Sequence, residues 1–216
     1  MPHAAFRPEP NRARRAAALA AALLLGAACA SKLPQVPQTF TIDGPPPRTS
    51  PPQGATRVLS LRRAEAAPAY AGSELVYRVG AHGIERDPYA SFAAPASWMV
   101  TSAIRGYLKN ADWVRDVVEP GEGIPVAAEI EPSVVEIAGD FTNPAEPAAV
   151  LTVSFRVLAP ASGAAPPREL LLKTYTARRP LDRRAAAAVV AAWNQELSEI
   201  MVSFAGDLKA ALPPAP

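Results

Sequence analysis

Val150-Leu151-Thr152-Val153-Ser154-Phe155-Arg156-Val157-Leu158 is the stretch that decides the fold. Leu151, Val153, Phe155 and Val157 recur at every second position, with Thr152, Ser154 and Arg156 between them. Side chains of an extended chain alternate between the faces of a sheet. This period therefore predicts a strand with one face on a core and the other in water.

Working outward, Asn143-Pro144-Ala145-Glu146-Pro147 and Ser162-Gly163-Ala164-Ala165-Pro166-Pro167 are rich in turn residues and read as hairpin loops. The strand at Leu170-Leu171-Leu172-Lys173-Thr174-Tyr175-Thr176 is then an antiparallel partner. Residues 126–140 lie on the other side, with apolar Ala128, Ile130, Val134 and Ile137 among Glu129, Glu131, Glu136 and Asp140. Carboxylates at alternating positions suit metal binding or acid–base work. Along a strand they also share one face, and the solvated face of a half-buried sheet is the simpler reading.

Asp182 follows the second hairpin as a candidate N-cap, because its carboxylate accepts from free amides of a first helical turn. A helix to about Leu212 is expected from Val190, Trp193, Leu197, Ile200, Met201, Phe204 and Leu208 at spacings of three and four, with Asn194, Glu196, Glu199 and Asp207 off that stripe. Its polar face lacks the Lys/Arg excess of a membrane-surface helix, so packing across a sheet is expected. Val190, Trp193 and Phe204 read as core, the alternative being the lining of a lipid cavity. An earlier helix begins at Pro95, whose missing N–H costs nothing in a first turn. Its stripe is Val100, Ala103, Ile104, Tyr107, Leu108 and Ala111, opposite Ser102, Arg105 and Lys109.

Short strands are expected at Thr39–Ile42, Arg57–Arg62, Glu74–Val79 and Trp113–Val118, with residues 87–94 irregular. Gly80-Ala81-His82-Gly83 has the glycine spacing of a tight hairpin, which makes His82 a solvent-exposed turn residue. Pro45-Pro46-Pro47 and Pro51-Pro52 forbid regular structure and read as a stiff spacer rather than a ligand for a proline-reading domain. The elements together predict an α+β fold: a mainly antiparallel sheet with two amphipathic helices on one face.

The amino-terminal region has a different logic. Arg12, Arg14 and Arg15 precede the apolar run of residues 16–25, small residues follow, and then comes Cys29, the single cysteine of the chain. A basic region, a short apolar region and small residues before a cut site describe a secretory signal. With cysteine after the cut, residues 1–28 resemble a bacterial lipoprotein signal and Cys29 is the expected lipidation site. Gly26 departs from the preferred pattern, which has Leu three residues before the cysteine. The run reaches only about half of the roughly 20 residues that span a bilayer. Residues 29–38 then read as a tether, 39–212 as the domain and 213–216 as a tail. Removal of the signal leaves no pair of thiols, so the domain stands on packing alone in an oxidising compartment.

A formal net charge of +2, with much of the basic excess in the signal, gives no clustered basic face for nucleic acid. Catalysis finds little to build on. Beyond the signal there is one histidine, no Gly-rich phosphate loop and no Gly-x-Ser-x-Gly elbow, so neither a catalytic set, a metal site nor a cofactor is expected.

The cysteine-ended signal, the early strand, and the series Val58-Leu59-Ser60-Leu61, Pro68-Ala69-Tyr70 and Leu75-Val76-Tyr77-Arg78 resemble the ABC-type transport auxiliary lipoproteins (PqiC/YmbA-like), from about Leu33 to Leu212. Where that family usually has Arg-Trp before the first helix, this chain has Phe92-Ala93, with Trp98 later. The resemblance implies a non-enzymatic accessory lipoprotein, facing the periplasm, of a lipid-transport system. Its expected partners are an ABC ATPase, its permease and an MCE-domain protein that shields lipids, with an oligomer left open. Ala30 rather than Asp after the cysteine favours the outer membrane. The rival expectation is a general envelope-assembly or scaffold lipoprotein that binds a protein along an exposed sheet edge.

Overall fold

The longest strand organises the domain. In a computed structural model that describes residues 36–161 and 165–214, β7 (Ala128–Phe141) runs through the middle of a nine-stranded sheet. Before it come β1 (Gln38–Phe40), β2 (Arg57–Leu61), β3 (Glu65–Ala66), β4 (Glu74–Val79), β5 (Gly83–Phe92), helix α1 (Ala96–Lys109) and β6 (Val114–Val118). After it come β8 (Ala148–Ala159), β9 (Arg168–Pro180) and helix α2 (Ala186–Ala211). The signal, Cys29 and most of the tether lie outside the described residues.

The fold is α+β, and the long ladders are antiparallel as expected. β8 pairs with β7 from Glu129↔Leu158 to Asp140↔Ala148, and β9 pairs with β8 from Ala148↔Pro180 to Ala159↔Arg168. The sheet as a whole is mixed, because parallel pairs join the antiparallel ladders in its amino-terminal half. Three short strands line up parallel along the second edge of β7: β2 at Leu59↔Ala128, β3 at Glu65↔Ser133 and β4 at Tyr77↔Gly139. β6 and β1 extend these parallel to β2 and β5. Parallel neighbours require a long connection, and the segment with α1 supplies it between the early strands and β7.

Both helices pack on the same face of the sheet and share one hydrophobic core. Leu151, Val153, Phe155 and Val157 of β8 are all buried in it. Phe204 of α2 stacks on Phe155 with ring centroids 3.8 Å apart, and the Tyr175 ring meets Phe204 edge-on. The indole N–H of Trp193 donates to the Ala138 carbonyl at 3.3 Å, so this buried aromatic leaves no polar atom unpaired. Val190, Trp193 and Phe204 are packed into this core. On the outer face, Thr152 and Thr176 hydroxyls meet at 3.1 Å, and Arg156 is exposed.

Three local expectations are corrected. Residues 87–92 are not irregular but continue β5. The Asp87 carboxylate accepts from the amides of Tyr89 and Ala90, at 2.8 and 2.9 Å, and so carries the strand past Pro88, which has no donor. Asp182 is not the N-cap of α2, because β9 continues to Pro180 and the helix begins after Ala185 without a side-chain cap. The proline-rich segment is not a free spacer at residues 41–47. Ile42 is buried, the Asp43 amide donates to Asn194 Oδ1 at 2.8 Å, and Asn110 Nδ2 donates to the Pro46 carbonyl at 2.9 Å. The segment is a strap across both helices. It lies so close to α1 that a Cβ on Gly106 would stand 2.3 Å from the Pro45 carbonyl oxygen.

Candidate functional site

The strand carboxylates that suit metal or acid–base chemistry are taken up in a lattice of ion pairs on the outer face. Arg62 bridges Glu129 and Glu131 at 3.4 and 3.2 Å, Arg156 reaches Glu131 and Glu169, and Arg78 holds Glu136 at 2.8 Å. Such partly exposed pairs contribute little each, at most about 1 kcal/mol. Asp140 is different, being nearly buried. Burial pushes its carboxyl up, but the Thr142 hydroxyl at 2.7 Å and the Arg178 guanidinium outweigh that and hold it below its usual value. His82 sits exposed in the β4–β5 turn, beside Gly80 at a φ of 55°. Among the described residues, no group of three or more His, Cys, Asp or Glu side chains is placed to hold a metal ion.

The feature best built for recognition is β9 with the helix behind it. Among the described residues β9 pairs with β8 alone, so a strand of 13 residues leaves its outer row of N–H and C=O groups without a sheet neighbour there. Its side chains divide by the two-residue period. Lys173, Tyr175 and Arg179 turn to α2, where Lys173 Nζ and Tyr175 Oη share Asp207 Oδ2 at 2.7 and 2.6 Å and Arg179 pairs with Glu199. Leu172 turns to the outer face and stands 61% exposed. The charges that would otherwise shield this edge are thereby drawn sideways into the helix, and an apolar side chain is left beside an open ladder. An edge of this kind accepts an added strand.

At the seam of β9 and α2 lies a residue that the sequence reading placed on the wrong side. Glu196 is completely buried, and no side-chain donor among the described residues meets its carboxylate oxygens. Burial pushes its carboxyl up to about 8, against the opposing pull of the Arg179 charge and backbone N–H and of the Arg178 charge. The Arg179 guanidinium passes close by, its own Nε buried and without a partner. A signal for this was present. Glu196 falls three residues after Trp193 and four before Ile200, on the apolar spacing itself rather than off it.

Comparison with known proteins bears on what such a domain does. The family model described as the ABC-type transport auxiliary lipoprotein component matches residues 40–205. The chain belongs to that family. The match runs from the end of β1 into the last turns of α2, so the auxiliary lipoprotein domain is the sheet, strap and helices described above. No curated protein matches the sequence. The crystal structure of protein XCC0632 from Xanthomonas campestris, of the DUF330 family, has the same fold, with a TM-score of 0.64 and 19% identity over 80% of this chain and 95% of that one. The hypothetical protein CT253 from Chlamydia trachomatis is more distant, with a TM-score of 0.52 and 11% identity over 72% and 99%. At these identities the two structures speak to fold alone. Among the described residues of this family member, no helix is long and apolar enough to cross a membrane.

Proposed function

We infer that the protein is a non-enzymatic accessory lipoprotein of an MCE-type ABC transport system, held to the membrane through lipid on Cys29 and facing the periplasm. The observation that carries this reading is the family match, which covers nearly all of the folded domain. An anchor at Cys29 suits it. Two acyl chains hold a protein to a membrane stably, whereas one binds reversibly. Ala30 after the anchor supports an outer-membrane address.

Docking on the MCE-domain protein or the permease falls to the β9 edge, where an added strand gains main-chain hydrogen bonds and Leu172 supplies an apolar contact. The same edge supports a scaffold lipoprotein with an unrelated protein partner, so the partner's identity separates the readings. Affinity purification of the full-length protein from gently solubilised envelopes is the test. The transport reading expects the MCE-domain protein or the permease to co-purify. Recovery of other envelope proteins in their place would favour the scaffold.

A further inference from the structure

A second recognition feature lies far along the sheet from β9, at the corner made by β2, β6 and the start of β7. Leu59 of β2 faces Val117 of β6, and both are buried in the core. By alternation their neighbours Val58 and Val118 turn to the face without helices. The loop of residues 119–127 folds over them, turning at Gly121 and Gly123 with φ of 89° and 71°, values that favour glycine. Beside them is an open hollow of about 600 Å³ whose lining includes Val58 and Val118 of the sheet and Ile124, Val126 and Ala127 of the loop, with Ile124 46% exposed. That volume is within the roughly 300–1,000 Å³ of small-molecule sites.

The same lining carries the opposite chemistry as well. Arg57 and Arg115 belong to it, and Arg115 continues into an adjoining polar hollow with Arg48 and Lys109. The carboxylate among these cations is Asp116, held by Lys109 at 2.8 Å. Among the described residues Arg48, Arg57 and Arg115 have no carboxylate partner, and the Arg57 guanidinium donates to the Pro213 carbonyl. On the outer face of the sheet Arg62, Arg78, Arg156 and Arg178 are paired with acids. Guanidinium groups without acids are suited to fork onto a phosphate.

We propose that this corner binds an anionic amphiphile, the acyl chain entering the Val58–Val118 hollow and the phosphate head meeting Arg115 and Arg57. The binding gives the transport reading a ligand class for this domain, and rests on that reading only for its setting.

The test uses the full chain carrying Cys29→Ser, so that its own lipid does not compete, and isothermal titration with lysophosphatidylglycerol below its micelle concentration. Saturable binding is expected, weakened about tenfold or more by Arg115→Glu, since a charge-assisted pair is worth that much. Ile124→Asp in the lining is expected to weaken it as well, with circular dichroism unchanged in both variants. Equal affinity for inorganic phosphate would reduce the site to an ion site, and equal affinity for a non-ionic detergent would leave the charges no role. Binding to anionic vesicles without binding of the monomeric lipid would make the corner a membrane contact. Each of these, or unaltered binding by the variants, overturns the proposal. The titration contains no transporter component, so its failure leaves the transport reading untouched, and a failed co-purification leaves this site standing.

Discussion

Glu196 couples the stability of the domain to pH. Its carboxyl titrates near 8 when folded against 4.5 as an ordinary glutamate, so between those values the folded state holds a proton that the unfolded state has lost. Stability therefore falls as pH rises from about 4.5 to 8 and is level above. Glu196→Gln keeps the shape and removes the titration. Urea unfolding is expected to show the variant more stable than the parent at pH 8, by on the order of 2 kcal/mol, with the gap closing toward pH 5. Asp140 works in the opposite direction. Its depressed carboxyl adds stability that is present at neutral pH and lost as pH falls through its folded value. Gly106 gives a second test at this scale. A methyl there meets the Pro45 carbonyl, so Gly106→Ala is expected to lift the strap and lower stability by about 1–3 kcal/mol, seen also as faster proteolysis near residues 43–47. The sequence marked Gly106 as one more helix residue, because a close approach between distant segments leaves no local trace. Glu196 was legible by spacing but hidden by its residue type, since a carboxylate is the side chain least expected on a buried stripe.

The elements were legible where one face meets a core and the other meets water. β8 and α2 were readable for that reason, with Leu151, Val153, Phe155 and Val157, and the stripe of Val190, Trp193, Leu197, Ile200, Met201, Phe204 and Leu208, all buried where their periods placed them. Their joint is the Phe155–Phe204 stack. Phe204→Ala is expected to cost about 3–5 kcal/mol, measured by chemical denaturation, because it removes a buried ring and leaves a void. β5 past Arg86 and the end of β9 were less legible. There Asp87 accepts from the Tyr77 hydroxyl and from the nearby amides of Tyr89 and Ala90, and Arg178 and Arg179 pair with Asp140 and Glu199, none of which an alternating pattern reports. The strap shows the same limit: its prolines exclude regular structure, but they do not say which surface the segment lies on. The candidate docking strand was visible as a strand, whereas its position at the edge was not, since a hydrophobic period does not encode which neighbours a strand has.

On the scale of the whole molecule, the mixed sheet explains how a chain with several short strands attains one core. β7 is long enough to receive β2, β3 and β4 in succession along one edge while β8 covers the other. Direction was the part the sequence concealed, because alternation reports which face is buried and not which way the adjacent strand runs. This architecture leaves β9 as an open edge among the described residues, the edge proposed above for a transport partner, with attachment proposed through Cys29. Cys29→Ser is expected to move the protein from the membrane pellet to the soluble fraction with its thermal unfolding unchanged. The most direct test of the central claim places a photo-crosslinking residue at Leu172 in the full-length lipoprotein, in cells, and identifies what is captured. The MCE-domain protein or the ABC permease is expected to be joined at Leu172 and not at His82, on an unrelated exposed turn. Capture of neither partner at Leu172, in cells where both are present, would contradict it.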